Sequence, residues 1–168
     1  MKLAEAKEQF IQNWGVLGSQ WGINRTMAQV HALLLVASSP LSTDDIMEQL
    51  SVSRGNANMN IRELIDWDLV YKTIVPGDRK EYFRAEKDIW KVATRIMQQR
   101  KKRELDPMIK VLNQLSNLEE DKKDPEVVAF TEAIENIRKF AGQADKTMDM
   151  LIKAEENWFW GNFLKMFK

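Results

Sequence analysis

Apolar residues recur at helical spacing through most of the chain. The N-terminal segment carries an aromatic stripe with steps of four, three and four residues, made of Phe10, Trp14, Leu17 and Trp21. This spacing places the stripe on one side of a helix and predicts that it packs against a partner surface. Gly15 and Gly18 are expected to weaken the helix, and Gly22 to end it.

The next segment predicts three helices in close succession. Residues 26–37 are apolar on most sides, which is typical of a buried helix. Ser42, with Asp45 three residues later, is a capping-box start for a short helix. Ser53 can cap a further helix over about residues 54–67.

This last helix has two distinct faces. Its predicted core face consists of Ala57, Ile61, Leu64 and Ile65. The opposite face is polar and rich in amides, with Gly55, Asn58, Met59, Arg62 and Asp66, and with Arg54 and Asn56 at its exposed start. Amide and guanidinium groups can read adenine and guanine edges by paired hydrogen bonds. A solvated surface is the other interpretation of this face.

A β-hairpin is expected directly after this helix. Residues 69–75 and 81–84 have strand-like composition and enclose the loop 76–80, which contains Pro76 and Gly77. A short helix, a tight turn, a longer helix and a hairpin together predict a winged helix-turn-helix, a fold that binds double-stranded DNA. The hairpin tip would place Arg79 and Lys80 against phosphates or in the minor groove.

The composition favours binding over catalysis. The 168 residues are 44% hydrophobic and 30% charged, with no cysteine and one histidine. His31 lies in an apolar helical run, where a packed structural role is expected. We therefore predict no catalytic site, metal or cofactor. No apolar run is long enough to cross a bilayer, so no membrane partner and a cytoplasmic location are expected.

The charge of the chain leaves one alternative to DNA binding open. The formal net charge of the chain is zero, which argues against binding any duplex by bulk charge. Residues 38–87 hold seven Lys/Arg and nine Asp/Glu, a net charge of −2. A dimeric winged-helix scaffold that binds protein and not DNA therefore remains the alternative to a DNA-binding regulator.

The sequence of residues 15–107 resembles that of the MarR-type winged-helix regulators, and within them the glycine-betaine-synthesis-repressor (GbsR-like) branch. Two strings carry the resemblance, VSRGNANMNIREL for the recognition helix and VPGDRKEYF for the wing. The resemblance implies a dimeric transcriptional repressor whose DNA affinity a small ligand can alter. One departure is Asp68, where the family usually has glycine; Asp tolerates a left-handed turn better than most residues.

The resemblance also implies which residues contact DNA. On the recognition helix these are Ser53, Arg54, Asn56, Asn58, Met59 and Arg62. On the wing they are Asp78, Arg79 and Lys80, with Asp78 orienting Arg79.

The remaining chain is predicted to be helical and to form the dimer. A helix over residues 88–103 is expected to face inward with Ile89, Val92, Ala93 and Ile96, and it ends in a basic run that is either solvated or a supplementary phosphate contact. Asp106-Pro107 and Asp124-Pro125 each predict a helix start. The last helix has a coiled-coil-like seam formed by Val127, Phe130, Ile134, Ile137, Ala141, Ala144, Met148 and Leu151.

We accordingly predict three parts. Residues 1–22 form an N-terminal packing and dimerisation helix, residues 23–88 the winged helix-turn-helix, and residues 89–168 a helical dimerisation region. The aromatic end, residues 158–167, is expected to lie in an interface.

Six tryptophans suggest a ligand hypothesis. Aromatic faces can hold a quaternary ammonium group by cation–π attraction, and the resembled branch senses choline-like compounds. Trp14, Trp21 and Trp90 would flank such an effector pocket, although ordinary core packing is the alternative for each of them.

Overall fold

The computed structural model describes residues 1–116 and 124–156, with side chains as far as residue 153. The chain forms two compact units, Met1–Val92 and Ala93–Lys168. The helices are α1 (Leu3–Gln20), α2 (Arg25–Val36), α3 (Thr43–Leu50), α4 (Arg54–Asp66), α5 (Ile89–Arg100), α6 (Asp106–Leu115) and α7 (Pro125–Glu156). The strands are β1 (Leu41–Ser42), β2 (Val70–Thr73) and β3 (Tyr82–Ala85). This confirms the predicted fold class, a mainly helical winged helix-turn-helix.

The sheet has one strand more than the sequence predicted. Its order is β1-β3-β2, with both pairs antiparallel. Phe83 in the central strand pairs with Leu41 on one side and with Lys72 on the other. The sequence pattern predicts no strand at Leu41 and Ser42, because two residues are too few to show an alternation of apolar and polar positions. The extra pairing ties the wing to the beginning of α3.

The core of the first unit lies where α2, α3, α4 and the sheet meet. Large side chains that are almost fully buried there include Val30, Leu34, Ile46, Ile61, Leu64 and Val70. Each is at most 2% exposed, so the hydrophobic effect acts on nearly the whole of each side chain. This shared core holds α4 and the wing in a fixed arrangement.

Helix α1 approaches α2 most closely at its glycines, while Trp14 of the predicted aromatic stripe packs beside His31 of α2. A Cβ added to Gly15 would lie 2.7 Å from Cγ of Gln29, and one added to Gly18 would lie 2.6 Å from Cβ of Ala28. Real Cβ atoms do not approach so closely, so only glycine allows α1 and α2 to come this near. The two residues that appeared to weaken the helix are therefore the ones that let it dock.

Within one chain the predicted aromatic stripe of α1 is buried only in part, so a partner surface for its outer residues stays a prediction. Leu17 and Trp21 are 38% and 58% exposed, because the glycine face turns them outward. Trp14 is half-buried, with its ring 5.4 Å from that of Phe10 and 6.2 Å from the imidazole of His31. His31 is 3% exposed, as a packed structural histidine should be.

Two local features join the wing to the helices, a backbone turn at Asp68 and the side-chain hydrogen bonds of Lys87. Asp68 has φ +57°, so the left-handed turn expected after α4 forms without glycine. Lys87, just beyond β3, donates hydrogen bonds from Nζ to the carbonyl oxygens of Leu34, Leu35 and Ala37 at the end of α2. A cation at the C-terminal end of a helix satisfies free carbonyls and interacts favourably with the helix dipole.

Helix α5 does not bury the stripe predicted for it. Val92 is 1% exposed, but Ile89 is 51% exposed and Ala93 lies at the surface, whereas Thr94 is buried. The prediction assumed one partner surface along the whole helix. The helix instead passes from the first unit into the second after Val92.

The chain continues from α5 to α6 through a π-helical turn, Lys101–Leu105. Pro107 has no N–H to donate to the preceding turn, and a π-helical turn accommodates such a missing bond. The predicted start of a new or kinked helix is confirmed, but Asp106 is the first residue of α6 and not its cap, which is Leu105. Lys101 ion-pairs with Asp145 of α7 at 2.7 Å and with Asp106 at 3.2 Å, and these contacts raise the pKa of Lys101.

Helix α7 begins as predicted. Asp124 Oδ1 accepts a hydrogen bond of 2.7 Å from the backbone N–H of Glu126, and Pro125 is the first helical residue. The helix packs on α6 and on the π-helical turn. Within one chain the apolar seam of α7 is only partly buried, because Ala141 is 5% exposed but Ile137 is 50% exposed. The predicted aromatic interface at residues 158–167 lies outside the described residues.

Among the described residues, none of the helices has the length and apolarity required to span a membrane. No group of His, Cys, Asp or Glu in the same part of the chain has the arrangement of a metal site.

Candidate nucleic-acid interface

The helix-turn-helix is built from two capped helices. The Ser42 hydroxyl accepts from the backbone N–H of Asp45 at 3.2 Å, and the Asp45 carboxylate accepts from the backbone N–H of Ser42 at 2.7 Å. This is the predicted capping box at the start of α3. The Ser53 hydroxyl accepts from the backbone N–H of Asn56 at 3.3 Å, which caps α4. The caps fix where each helix begins and therefore which residues face outward.

The inner face of α4 agrees with the predicted one and adds a polar residue. Ala57, Ile61 and Leu64 are at most 2% exposed, and Ile65 is half-buried. Asn60 is 0% exposed and belongs to the same buried stripe. The inner face anchors α4 in the core of the first unit and leaves its opposite side open.

The outer face of α4 carries most of the predicted contact residues. Arg54 and Arg62 are exposed, and Met59 is 56% exposed. Asn56 and Asn58 are half-buried. This side of the helix therefore presents two guanidinium groups, two amides and one flexible apolar side chain, which suits contact with base edges and phosphates.

The wing is held by hydrogen bonds that centre on Asp78. Gly77 has φ +86°, a conformation that glycine adopts without strain. The Asp78 carboxylate accepts from the backbone N–H of Lys80 at 2.9 Å and from the Tyr82 hydroxyl at 2.7 Å. These bonds hold the pKa of Asp78 below its usual range, and Asp78 in turn raises the pKa of Tyr82. Asp78 thus orders the hairpin tip through Lys80 and Tyr82, and its predicted role in orienting Arg79 stays a prediction.

One carboxylate joins the recognition helix to the wing. Asp44, in the first turn of α3, accepts from the guanidinium of Arg54 and lies 3.3 Å from Nζ of Lys80. Hydrogen bonds from Arg54 and then from Lys80 hold the pKa of Asp44 below its usual range. The start of α4 and the hairpin tip are therefore side by side, on one face of the first unit.

Two other cations on this face, Arg62 and Arg79, have no counterion among the described residues. Within the part of the chain that the structure describes, the side chains of Arg62 and Arg79 form no ion pair, and both are exposed. An unpaired surface guanidinium can bind a phosphate or a guanine edge without first breaking an internal contact.

The three tryptophans of the ligand hypothesis differ in their surroundings. Trp14 is half-buried next to His31. Trp21 and Trp90 are 58% and 61% exposed. The effector pocket stays a prediction.

Sequence reasoning missed two residues of this site. Spacing along the chain places Asp44 only in the first turn of α3, since its link to Arg54 and Lys80 depends on the tertiary fold. Asn60 could have been found, because it lies three residues after Ala57 and four before Leu64, at the spacing of the core stripe.

Comparisons with known proteins support this geometry. Residues 21–81 match the model of a family described as the MarR family. A solved structure described as "Crystal Structure of a transcriptional regulator" has a TM-score of 0.66 with this chain at 18% identity, and covers 90% of this chain and 99% of its own. A search of curated proteins gave no match. The matched family segment runs from the end of α1 through α4 to the wing.

Proposed function

We propose that this chain, whose residues 21–81 match the MarR family model, is a sequence-specific DNA-binding transcription regulator. It acts as a repressor, binds an inverted repeat as a homodimer, and is modulated by a small ligand. The comparisons favour a regulatory role over an enzymatic one. The glycine-betaine-synthesis-repressor branch remains the proposed subgroup.

One observation carries this proposal. Arg54 at the start of α4 and Lys80 at the hairpin tip share the carboxylate of Asp44, so helix and wing point to the same side. In winged-helix proteins the recognition helix lies in the major groove while the wing contacts the flanking backbone or minor groove. The amide and guanidinium face of α4 would read the bases, and Arg79 would bind the backbone beside them.

The net negative charge of residues 38–87 is compatible with DNA binding by α4 and the wing. Three acids of residues 38–87 belong to α3, where Asp45 closes a capping box and the single carboxylate of Asp44 is paired with two cations. Few phosphate contacts per subunit imply modest affinity for one half-site. Two linked subunits raise the affinity through effective concentration.

Exposed apolar side chains in both units support a dimer. Phe140 and Met150 on α7 are 72% and 68% exposed, and Trp21 follows α1 at 58%. Apolar surface of this kind commonly marks an interface between subunits. A second copy of the chain is the proposed partner, and half-sites about one helical turn (about 10 base pairs) apart should follow.

A mobility-shift assay on the DNA upstream of the chain's own coding region tests DNA binding against the scaffold alternative. The net charge of −2 of residues 38–87 is the observation that favours a scaffold. A regulator is expected to form a discrete complex at moderate salt that unlabelled random duplex does not compete away. No complex even at low salt would favour the scaffold.

The effector hypothesis has its own test. Choline and betaine are expected to change both tryptophan fluorescence and DNA affinity if Trp14 and its neighbours line the pocket. Fluorescence and DNA binding that both stay constant through the titration would contradict the hypothesis and leave DNA recognition unaffected.

Arg79→Ala is expected to weaken binding to all duplexes by a similar factor. Its guanidinium is exposed on the wing, where a phosphate contact adds affinity and little base preference. A plot of log affinity against log salt should become shallower by about 1 per subunit. Lys110→Ala, an exposed cation of α6, is the control and should leave the slope unchanged. An unchanged slope for the Arg79 variant would remove the wing from the interface.

Asp44→Asn is expected to tighten DNA binding. The change removes an anion beside the phosphate path and releases Arg54 and Lys80 from their shared partner. Affinity for any duplex should rise about three- to tenfold at moderate salt, and the salt slope should steepen by about 1 per subunit. Glu48→Gln makes the same charge change one turn further along α3, at an exposed position, and should have a smaller effect. Equal effects of the two variants would mean that only net charge matters.

A further inference from the structure

A buried amide lies in the middle of the recognition helix. Asn60 is 0% exposed and shares its side of α4 with Ala57 and Leu64. Asparagine is seldom fully buried unless its polar atoms are hydrogen-bonded. The hydrogen bonds of the Asn60 side chain therefore indicate its role.

Asn60 makes both of its hydrogen bonds to Asn56, one turn earlier. Its Nδ2 donates to the backbone carbonyl oxygen of Asn56 at 2.8 Å and to Oδ1 of Asn56 at 2.7 Å. The carbonyl oxygen can only accept, so the atom of Asn60 that faces it must be the donor nitrogen. The Asn56 atom that faces this nitrogen must then be the amide oxygen. The chemistry of the contact fixes how both amides are turned.

This contact determines what Asn56 can offer to DNA. Its Oδ1 is directed at Asn60, so the amide nitrogen of this half-buried side chain is turned away from Asn60. Bidentate reading of adenine needs the oxygen and the nitrogen of the amide at the same base edge. An inward oxygen leaves two N–H donors and no acceptor facing outward.

We infer that Asn60 is a positioning residue for specificity, which holds Asn56 as a donor-only reader of guanine or thymine and prevents it from reading adenine. The inference rests on the proposed function. Guanine presents N7 and O6, and thymine presents O4, as acceptors in the major groove. Adenine presents one acceptor next to a donor, and the donor would have no partner on Asn56.

Stability alone does not explain an asparagine at this position. The Oδ1 atom of Asn60 is buried and accepts no hydrogen bond from any residue that the structure describes. A buried unsatisfied acceptor is destabilising, and an apolar side chain there would avoid that cost. Asn and Val have similar helix propensities, so Asn60→Val changes mainly the hydrogen bonds.

The test is selection of bound fragments from random duplexes by the full chain and its variants. Asn56→Ala identifies the base pair that Asn56 reads, as the position at which preference is lost. The wild type is expected to select guanine or thymine there. Asn60→Val, and Asn60→Ala as a second variant, free the amide to turn, so the adenine-to-guanine ratio at that position should rise about tenfold or more.

Two internal controls separate specificity from folding. The preference lost on Arg62→Ala should stay intact in both Asn60 variants. The melting temperature of Asn60→Val should equal or exceed that of the wild type, whereas a purely structural asparagine would lower it.

The possible failures are distinguishable. Wild-type selection of adenine at the Asn56 position, or an unchanged ratio in both Asn60 variants, overturns this inference and leaves DNA binding in place. Absence of any enriched sequence with the wild type contradicts the proposed function, and the inference fails with it.

Discussion

Arg62→Ala is expected to abolish the preference for one base pair in each half-site. Arg62 is exposed on the outer face of α4, and its guanidinium has no ion-pair partner in the described residues. A bidentate contact with guanine contributes about 1–3 kcal/mol of discrimination, which corresponds to about a ten- to hundredfold preference. Affinity for the best site should fall by the same factor per subunit, while affinity for random duplex should change much less.

Competition binding against duplexes that differ at single base pairs measures this effect. Arg138→Ala is a suitable control, because Arg138 is an exposed arginine of α7 that pairs with Glu135 on the same helix. Its pattern of base preference should equal that of the wild type. If the Arg62 variant also keeps every preference, Arg62 is not a base-reading residue.

The second large effect is acid destabilisation through His31. Burial, and then the charge of Lys87, lower the pKa of His31 from 6.5 to about 4. An imidazole with a lower pKa in the folded state binds its proton more readily after unfolding. Its contribution to stability is therefore complete above pH 6.5 and is lost as the pH falls towards 4. The full loss is about 3 kcal/mol.

Urea unfolding of the wild type and of His31→Leu between pH 7.5 and pH 4.5 measures this contribution. Carboxylates titrate in the same range in both proteins, so the difference between the two isolates the imidazole. The variant should gain about 2–3 kcal/mol relative to the wild type over that range. The chain has one histidine, so its NMR titration is unambiguous. A constant difference in free energy, or a measured pKa near 6.5, would contradict the assignment.

Local chemistry explains which parts of the fold the sequence predicted. The caps at Ser42 and Ser53, the core stripe of α4 and the turn at Asp68 each depend on residues close in sequence. Their patterns can be detected without a tertiary structure. These local signals were sufficient to predict the order of helices and hairpin that defines the winged helix.

Features that depend on tertiary contact were not predictable in the same way. Gly15 and Gly18 have low helix propensity in isolation, and their value appears only when α2 approaches within contact distance. Strand β1 is defined by its pairing with β3 and has no pattern of its own. Asp44 meets Arg54 ten residues away and Lys80 in the wing, so its role depends on how the hairpin folds back.

Selection of bound fragments from random double-stranded DNA by the wild-type chain tests the central claim most directly, namely that α4 enters the major groove with the wing beside it. We predict enrichment of an inverted repeat whose half-sites are centred about 10 base pairs apart. The account would be contradicted if the bound fragments shared no sequence and the affinity depended only on the length of the duplex.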